Sequence, residues 1–288
     1  MAWPWSNSGV KLVNAAAISR DVEVIRDNRF AAGRRGLLDV YVPRAAHDAP
    51  LAIFFYGGGW ESGNKEHYRF VAMALARRGV VTIVPDYRLY PDVRYPDFID
   101  DGARAVRWAR RNAIEFGADP GLLFLIGHSA GAYIAAMLTL DATRLDEDSR
   151  VALAGTVGLA GPYDFQPQTD PALKRIFAPA GGDLASSQPI AYARGDAAPL
   201  LLLSGLADRR VRPENSRRLA ARVNAFGGKA EARFYKHVGH TGIVAAFSPV
   251  LRPLAPSLAD TLAFIRARSD AVRPRPGSPR YFHSSRLA

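Results

Sequence analysis

The sequence predicts an α/β fold in which a mostly parallel sheet of about eight strands carries helices on both faces. Two observations lead to this prediction. Short apolar runs alternate along the chain with segments whose apolar residues recur at helical spacing. The fifth apolar run, 122–126, meets the sequence Gly-His-Ser-Ala-Gly at 127–131, and a helix-compatible segment follows at once. In such sheets functional residues gather beyond the carboxyl ends of the strands.

The predicted elements follow one another without an internal repeat or a linker. Eight segments have the composition and length of strands: 22–25, 37–42, 51–55, 80–84, 122–126, 151–159, 200–203 and 232–235. Helical spacing predicts helices over 65–78, 97–116, 132–140, 213–226 and 257–268. Gly79 ends the first of these helices, and Pro85 ends the fourth strand. Residues 1–268 are therefore expected to form a single domain.

Two segments depart from this alternation. Residues 161–199 have little periodicity and are too long for an ordinary connection, so they are predicted to line or cover a pocket, with a mobile surface loop as the alternative. Residues 269–288 are rich in Pro and Ser and contain four arginines against one acid. This composition predicts a disordered basic tail.

Composition and charge narrow the classes of function. The 288 residues are 48% hydrophobic with a mean hydropathy of −0.08, which suits one large core. No apolar run is long enough to cross a membrane, and the first residues do not resemble a secretory signal, so a cytoplasmic protein is expected. The absence of cysteine excludes disulfides and a thiol nucleophile. The net charge of +11 is spread along the chain, which favours a solvated surface over nucleic-acid binding. The oligomeric state is left open.

The segment 127–131 matches the G-x-S-x-G nucleophile elbow in its proper context of strand, tight turn and helix. Gly127 and Gly131 are expected because a Cβ at either position would collide with a neighbouring strand or helix. The Ser129 hydroxyl would project over the sheet edge near the positive end of the following helix. Ser129 is therefore the predicted nucleophile.

A serine needs a base and a group that orients the base. Among six histidines, His240 follows a predicted strand and precedes an apolar segment, and it is preferred over His237 as the base. Asp208 follows the strand at 200–203 and is preferred as the acid, with Asp183 as the spare candidate and a turn or capping role as the alternative. The chain order serine, aspartate, histidine supports this choice.

Donors for an oxyanion are expected at two places. The strand at 51–55 runs into Tyr56 and then Gly-Gly-Gly-Trp at 57–60, where glycines let backbone N–H groups approach a bound acyl group. The amide of Ala130 would supply another donor. A flexible turn is the alternative interpretation of the three glycines, and a phosphate loop is a further option whose G-K-[ST] ending is missing. The sequence contains neither metal-ligand spacing nor a dinucleotide fingerprint, so no metal and no cofactor are predicted.

Together these motifs resemble the α/β-hydrolase superfamily, and within it the esterases related to hormone-sensitive lipase, bacterial carboxylesterases and kynurenine-formamidase-like enzymes. The matching stretches lie at 55–63, 85–89, 127–131, Asp208 and 239–240. The resemblance implies an oxyanion hole formed by Gly58, Gly59 and Ala130, and a triad of Ser129, Asp208 and His240. One departure stands out, because Tyr56 occupies the place where the family usually has histidine. A tyrosine hydroxyl could replace some of the hydrogen bonds that such a histidine makes.

The leading hypothesis is a serine hydrolase that cleaves small or short-chain carboxylic esters through an acyl-enzyme. The first alternative is an arylformamidase-like amide hydrolase, and the second is a non-catalytic binding module on a hydrolase fold. The expected partner is a small-molecule ester. Four aromatic residues could form a pocket wall, although core packing explains aromatic residues equally well. They are Trp60, Tyr87, Tyr163 and Phe165.

Overall fold

A computed structural model describes residues 13–15, 19–167, 170–180 and 184–273. The strands within these ranges are β1 Val22–Arg29, β2 Leu37–Pro43, β3 Ala49–Phe55, β4 Val81–Pro85, β5 Ala118–His128, β6 Leu153–Leu159, β7 Leu200–Gly205 and β8 Ala230–Tyr235. They form one eight-stranded sheet in the order β1-β2-β4-β3-β5-β6-β7-β8. The β1–β2 and β2–β4 pairs are antiparallel, and all the other pairs are parallel. The predicted fold class is confirmed.

Helices cover both faces of this sheet. In the described ranges they are α1 Arg69–Ala76, α2 Asp97–Asn112, α3 Ala130–Leu140, α4 Glu147–Ala152, α5 Pro171–Ile176, α6 Glu214–Ala225, α7 Gly242–Ala245 and α8 Ser257–Val272. Short 3₁₀ helices lie at Lys65–Tyr68, Ala113–Phe116, Ala178–Ala180, Leu184–Ser187, Pro189–Tyr192 and Arg252–Leu254. None of the helices described here combines the length and apolar character that a bilayer crossing requires.

Strand β7 shows why the central strands are apolar throughout. Leu200 and Leu202 pack in one cluster with residues of α3 and α6, whereas Leu201 and Leu203 join the larger cluster that includes α8. Because successive side chains of a strand point to opposite faces, a strand covered on both sides needs apolar residues at every position. Each fully buried leucine contributes about 1.5–3 kcal/mol. These clusters hold rigid the strand ends from which the site is built.

Two predicted boundaries were wrong. The strand predicted at 151–159 begins at Leu153, because residues 147–152 form α4, whose N-cap Asp146 accepts a hydrogen bond from the N–H of Ser149. Val151 lies on the outer side of α4 and is 81% exposed. The strand prediction failed there because it relied on the strand preference of a β-branched residue. The predicted tail also begins too early, since α8 continues to Val272. Residues 274–288 lie outside the described part of the chain.

Candidate active site

The turn between β5 and α3 presents Ser129 in a strained backbone conformation. Its φ of 54° and ψ of −120° lie in a region that non-glycine residues rarely adopt. The N–H of Ser129 donates to the carbonyl of Leu159 on β6 at 2.9 Å, which pins the turn to the neighbouring strand. A Cβ on Gly131 would collide with the carbonyl oxygen of Phe55, so only glycine permits this close packing. The turn therefore has the geometry of a nucleophile elbow.

Three side chains from distant parts of the sequence meet at the carboxyl edge of the sheet. The Nε2 atom of His240 lies 2.9 Å from the Ser129 Oγ, and its Nδ1 lies 2.8 Å from the Asp208 Oδ2. The side chain of Asp208 is fully buried, and that of His240 is 11% exposed. The structure thus brings together the predicted nucleophile, base and acid within hydrogen-bonding distance.

The loop after β7 holds Asp208 in one orientation. Its Oδ1 accepts the backbone N–H groups of Arg210 and Val211, each at 2.9 Å, so Oδ2 is left to face His240. The N–H of Ala207 donates to the carbonyl of Val238 at 3.0 Å and joins this loop to the one after β8. A carboxylate oxygen only accepts, so the Nδ1 of His240 carries the proton and its Nε2 is free to accept one.

The glycine loop after β3 turns sharply beside the elbow. Gly58 and Gly59 have φ values of 150° and 62°, and Trp60 also has a positive φ of 62°. The Gly58 carbonyl accepts the N–H groups of Glu61 at 3.2 Å and of Ser62 at 3.1 Å, which closes the turn. Within the described ranges, the N–H groups of Gly58, Gly59 and Ala130 donate to no other group of the protein. These three amides therefore have no hydrogen-bond acceptor within the described part of the chain.

A cavity of about 370 Å³ opens beside Ser129. Ser129 and Gly59 line this cavity. Trp60 and Phe165 form an aromatic wall, with ring centroids 5.9 Å apart and planes inclined by 21°. Its remaining lining comes from Glu61, Pro162, Asp170, Ala172, Leu173, Arg209, Arg210, Val211 and Asn215. The lining is largely apolar and includes residues of the segment 161–199. This volume is at the small end of the range for ligand pockets.

The comparison with protein families matches residues 38–223 to the BD-FAE family. The chain belongs to the BD-FAE family. The match spans the glycine loop, the elbow and Asp208, and it ends before His240. Its family assignment therefore covers most of the site described above.

Individual relatives of this BD-FAE chain include Esterase LipC of Mycobacterium tuberculosis, 30% identical over 210 residues, which are 66% of this chain and 52% of LipC. Kynurenine formamidase of Danio rerio is 34% identical over 132 residues, 45% of this chain and 43% of that protein. This chain spans about half the length of the curated relatives it matches. Among solved structures, a truncated carbohydrate esterase from gut microbiota aligns with a TM-score of 0.75 at 18% identity, covering 88% of this chain and 99% of that one. This likeness shows the α/β-hydrolase fold.

Tyr56 is firmly held in this BD-FAE chain. Its hydroxyl donates to the Asp86 Oδ1 at 2.9 Å and accepts from the Arg35 guanidinium at 3.0 Å. Its carbonyl accepts the Tyr87 hydroxyl at 2.7 Å. Burial raises the pKa of Tyr56 well above its ordinary value, and the charge of Asp86 raises it further, so the phenol stays protonated and donates. A tyrosine therefore anchors the start of the glycine loop by its own set of hydrogen bonds.

Two of the four predicted pocket residues lie elsewhere in the BD-FAE chain. Tyr87 and Tyr163 are fully buried, and neither lines the cavity. The hydroxyl of Tyr87 is occupied by the carbonyl of Tyr56, and the ring of Tyr163 packs closely against Gly161. Both tyrosines are core residues: the hydroxyl of Tyr87 has an internal acceptor, and the ring of Tyr163 is enclosed by packing. The alternative base His237 is exposed, and the spare acid Asp183 lies outside the described residues.

Sequence reasoning missed several residues around the site. Arg35 lies in a turn between β1 and β2, and no local signal connected it with the glycine loop. His128 occupies the variable position of the elbow, and the G-x-S-x-G pattern gives no sign of its contact with the loop of His240. Within the described ranges, no three His, Asp or Glu side chains are grouped as metal ligands.

Proposed function

We propose that this protein is a serine hydrolase that cleaves small or short-chain carboxylic esters through an acyl-enzyme. The observation that carries the proposal is the relay of Asp208, His240 and Ser129, with contacts of 2.8 and 2.9 Å. Membership of the BD-FAE family and similarity to Esterase LipC support the same activity. The available amides beside Ser129 supply the second requirement of acyl transfer.

In the proposed acylation step, the Oγ of Ser129 attacks the ester carbonyl while its proton moves to the Nε2 of His240. The developing oxyanion accepts hydrogen bonds from the amides of Ala130 and of the glycine loop, with Gly58 and Gly59 as the donors. Asp208 stabilises the imidazolium through Nδ1–H. The intermediate then collapses, the C–O bond to the alcohol breaks, and His240 returns its proton to the departing oxygen.

The proposed deacylation step repeats this chemistry with water. Nε2 of His240 takes a proton from a water molecule, whose oxygen attacks the acyl-enzyme carbonyl. Collapse releases the carboxylic acid, and the proton returns to the Ser129 oxygen. One ester and one water thus yield one acid and one alcohol, with no cofactor required.

The test compares hydrolysis of p-nitrophenyl acetate and butyrate by the wild type and by Ser129→Ala. Removal of the nucleophile is expected to lower kcat by about 10⁶-fold. Ser149→Ala is the matched control, because Ser149 is also buried but lies in α4, where Arg110 donates to its hydroxyl. Equal turnover by wild type and Ser129→Ala would refute the proposal.

A second candidate substrate is an N-formyl arylamine. Two observations favour it: the similarity to kynurenine formamidase of Danio rerio, and the aromatic wall of Trp60 and Phe165 beside Ser129. The chemistry would be the same except that an amine departs instead of an alcohol. Comparing kcat/KM for formylkynurenine and for a butyrate ester separates the two, because an arylformamidase would prefer the amide.

We also propose that residues 162–173 of the segment 161–199, as far as the structure describes them, form the outer wall of the substrate pocket. Pro162, Phe165 and Leu173 of this segment lie against the cavity next to Ser129, which supports the proposal. Widening this wall with Leu173→Ala is expected to shift the preference from acetate toward longer acyl esters. An unchanged ratio of kcat/KM for acetate and hexanoate would contradict it.

A further inference from the structure

His128, the residue before the nucleophile, connects the three loops of the site. Its Nε2 lies 3.1 Å from the backbone carbonyl of His240, and its Nδ1 lies 3.0 Å from the hydroxyl of Tyr68. That hydroxyl in turn accepts a hydrogen bond from the N–H of Gly57, the first glycine of the glycine loop, at 3.2 Å. One imidazole thus links the elbow, the loop that carries the base and the loop that carries the oxyanion donors.

The direction of every hydrogen bond in this network follows from one fact. A carbonyl oxygen only accepts, so Nε2 of His128 must donate to His240. In a neutral imidazole Nδ1 is then an acceptor, and the Tyr68 hydroxyl donates to it. The oxygen of that hydroxyl keeps lone pairs for the N–H of Gly57. These hydrogen bonds are all satisfied when His128 is neutral and carries its proton on Nε2.

The packing around the imidazole leaves little freedom. His128 and Tyr68 are both almost completely buried. A Cβ added to Gly57 would lie 2.9 Å from Nδ1 of His128 and 3.0 Å from the Cβ of Ser129. The glycine loop therefore runs directly against the imidazole, and a shift of His128 would move this loop as well as the loop of His240.

We propose that His128 is a positioning residue for the reaction, and that its neutral Nε2–H form fixes the main chain of His240 relative to Ser129 and the glycine loop. This inference rests on the proposed function for its effect on turnover. A displacement of about 1 Å at a catalytic group can cost about 10²-fold in rate. A hydrogen bond to the backbone carbonyl of His240 can control the geometry of the site, because the position of that backbone determines where Nε2 of His240 meets the Ser129 oxygen.

The electrostatic surroundings favour the neutral form. Burial holds the pKa of His128 well below its usual range, and the proximity of His240 and Arg210 lowers it further. The two imidazole rings have centroids only 5.0 Å apart. A cationic His128 would oppose the imidazolium that forms on His240 during acylation. The phenol of Tyr68, a further titratable neighbour of His128, is uncharged.

The first test uses turnover of p-nitrophenyl butyrate by three variants. His128→Leu removes both hydrogen bonds, and kcat is expected to fall 10- to 100-fold with KM within about twofold, because His128 does not line the cavity. His128→Gln keeps an N–H donor for the His240 carbonyl and should retain turnover within about tenfold of the wild type. Tyr68→Phe removes the donor to Nδ1 of His128 and the acceptor for the Gly57 N–H, and it should lower kcat about tenfold. Tyr41→Phe, at a buried tyrosine of β2, is the matched control and should be unchanged.

Coupling between the two residues separates positioning from general damage. If His128 and Tyr68 act as one unit, the double variant Tyr68→Phe/His128→Leu should be no slower than His128→Leu alone. Thermal melts establish that each variant is folded. If His128→Leu does not fold, the same cycle is run with His128→Gln. Wild-type turnover in a folded His128→Leu, or losses that simply multiply in the cycle, would overturn the inference.

The second test needs no substrate. Nitrogen-15 NMR of histidine-labelled protein should show His128 as the neutral Nε2–H tautomer from pH 5 to pH 8. A cationic ring or an Nδ1–H tautomer at pH 7 would overturn the inference whatever the enzyme hydrolyses. A wild type that hydrolyses no ester would instead refute the proposed function and leave this spectroscopic result to stand alone.

Discussion

Replacing Asp208 by asparagine tests the relay at its most buried member. The change is nearly isosteric, so the packing of the loop after β7 should survive. The amide can sit in two orientations, and the backbone decides between them. The N–H groups of Arg210 and Val211 both donate to Oδ1, so an amide nitrogen placed there would face two donors. The asparagine must therefore turn its NH₂ group toward Nδ1 of His240.

The consequence is a change of tautomer on the base. An NH₂ group donates, so Nδ1 of His240 becomes the acceptor and the proton moves to Nε2. Nε2 then faces the Ser129 oxygen at 2.9 Å as a donor and cannot take the serine proton. The same substitution in a serine protease triad lowers kcat by about 10⁴ through the same tautomer change. We expect a loss of similar size here, about 5 kcal/mol at about 1.4 kcal/mol per factor of ten.

The assay measures kcat/KM for p-nitrophenyl butyrate by Asp208→Asn and by a control, Asp141→Asn. Asp141 is also buried and bonded, to Thr143 and Arg144, but it lies at the far end of α3. The control should lose stability and keep its turnover per folded molecule. If Asp208→Asn retained turnover within tenfold of the wild type, the orientation argument and the assignment of Asp208 would both fail.

Three further outcomes are expected. Tyr56→Phe removes a buried donor to Asp86 and an acceptor for Arg35, so the free energy of unfolding measured by urea denaturation should fall by about 1–3 kcal/mol. The free-energy equivalent of the drop in kcat should be smaller. His128 stays neutral in the folded state while the unfolded chain binds a proton below about pH 6.5, so stability falls as the pH is lowered. Wild type should therefore lose about 1 kcal/mol per pH unit more than His128→Gln between pH 6 and pH 5, and equal slopes would contradict this. Ser129→Gly should be about 1 kcal/mol more stable than Ser129→Ala in the same assay, because glycine accepts the strained turn.

Much of the fold was predictable because its signals are local. The central strands are short continuous apolar runs, and a strand buried on both faces leaves this mark whatever surrounds it. The elbow could also be predicted, since Gly127 and Gly131 are needed by contacts within a few residues and with the adjacent strand. The errors fell where local preference and solvent exposure conflict. Val151 has strand propensity but is exposed on a helix that Asp146 caps.

The side chains of the candidate triad could be proposed from position alone, because parallel strands deliver their carboxyl ends to one edge. No comparable signal in the sequence points to Arg35 or Tyr68. Arg35 reaches the Tyr56 hydroxyl from a turn 21 positions earlier, and Tyr68 reaches His128 across 60 positions. Such contacts depend on which loops lie close together in the folded protein. No periodicity in a single sequence indicates which loops those are.

The four aromatic residues predicted for the pocket also show what composition alone leaves undecided. Trp60 and Phe165 form a pocket wall, whereas Tyr87 and Tyr163 are buried core residues, although all four were equally plausible by composition. What separates them is their place in the fold, since only Trp60 and Phe165 line the cavity. The hydroxyl of Tyr87 is fixed on the Tyr56 carbonyl, so it strengthens the glycine loop from behind instead of meeting a ligand. Tyr56 is therefore accompanied by a second tyrosine and an arginine, and the three together brace the start of the glycine loop.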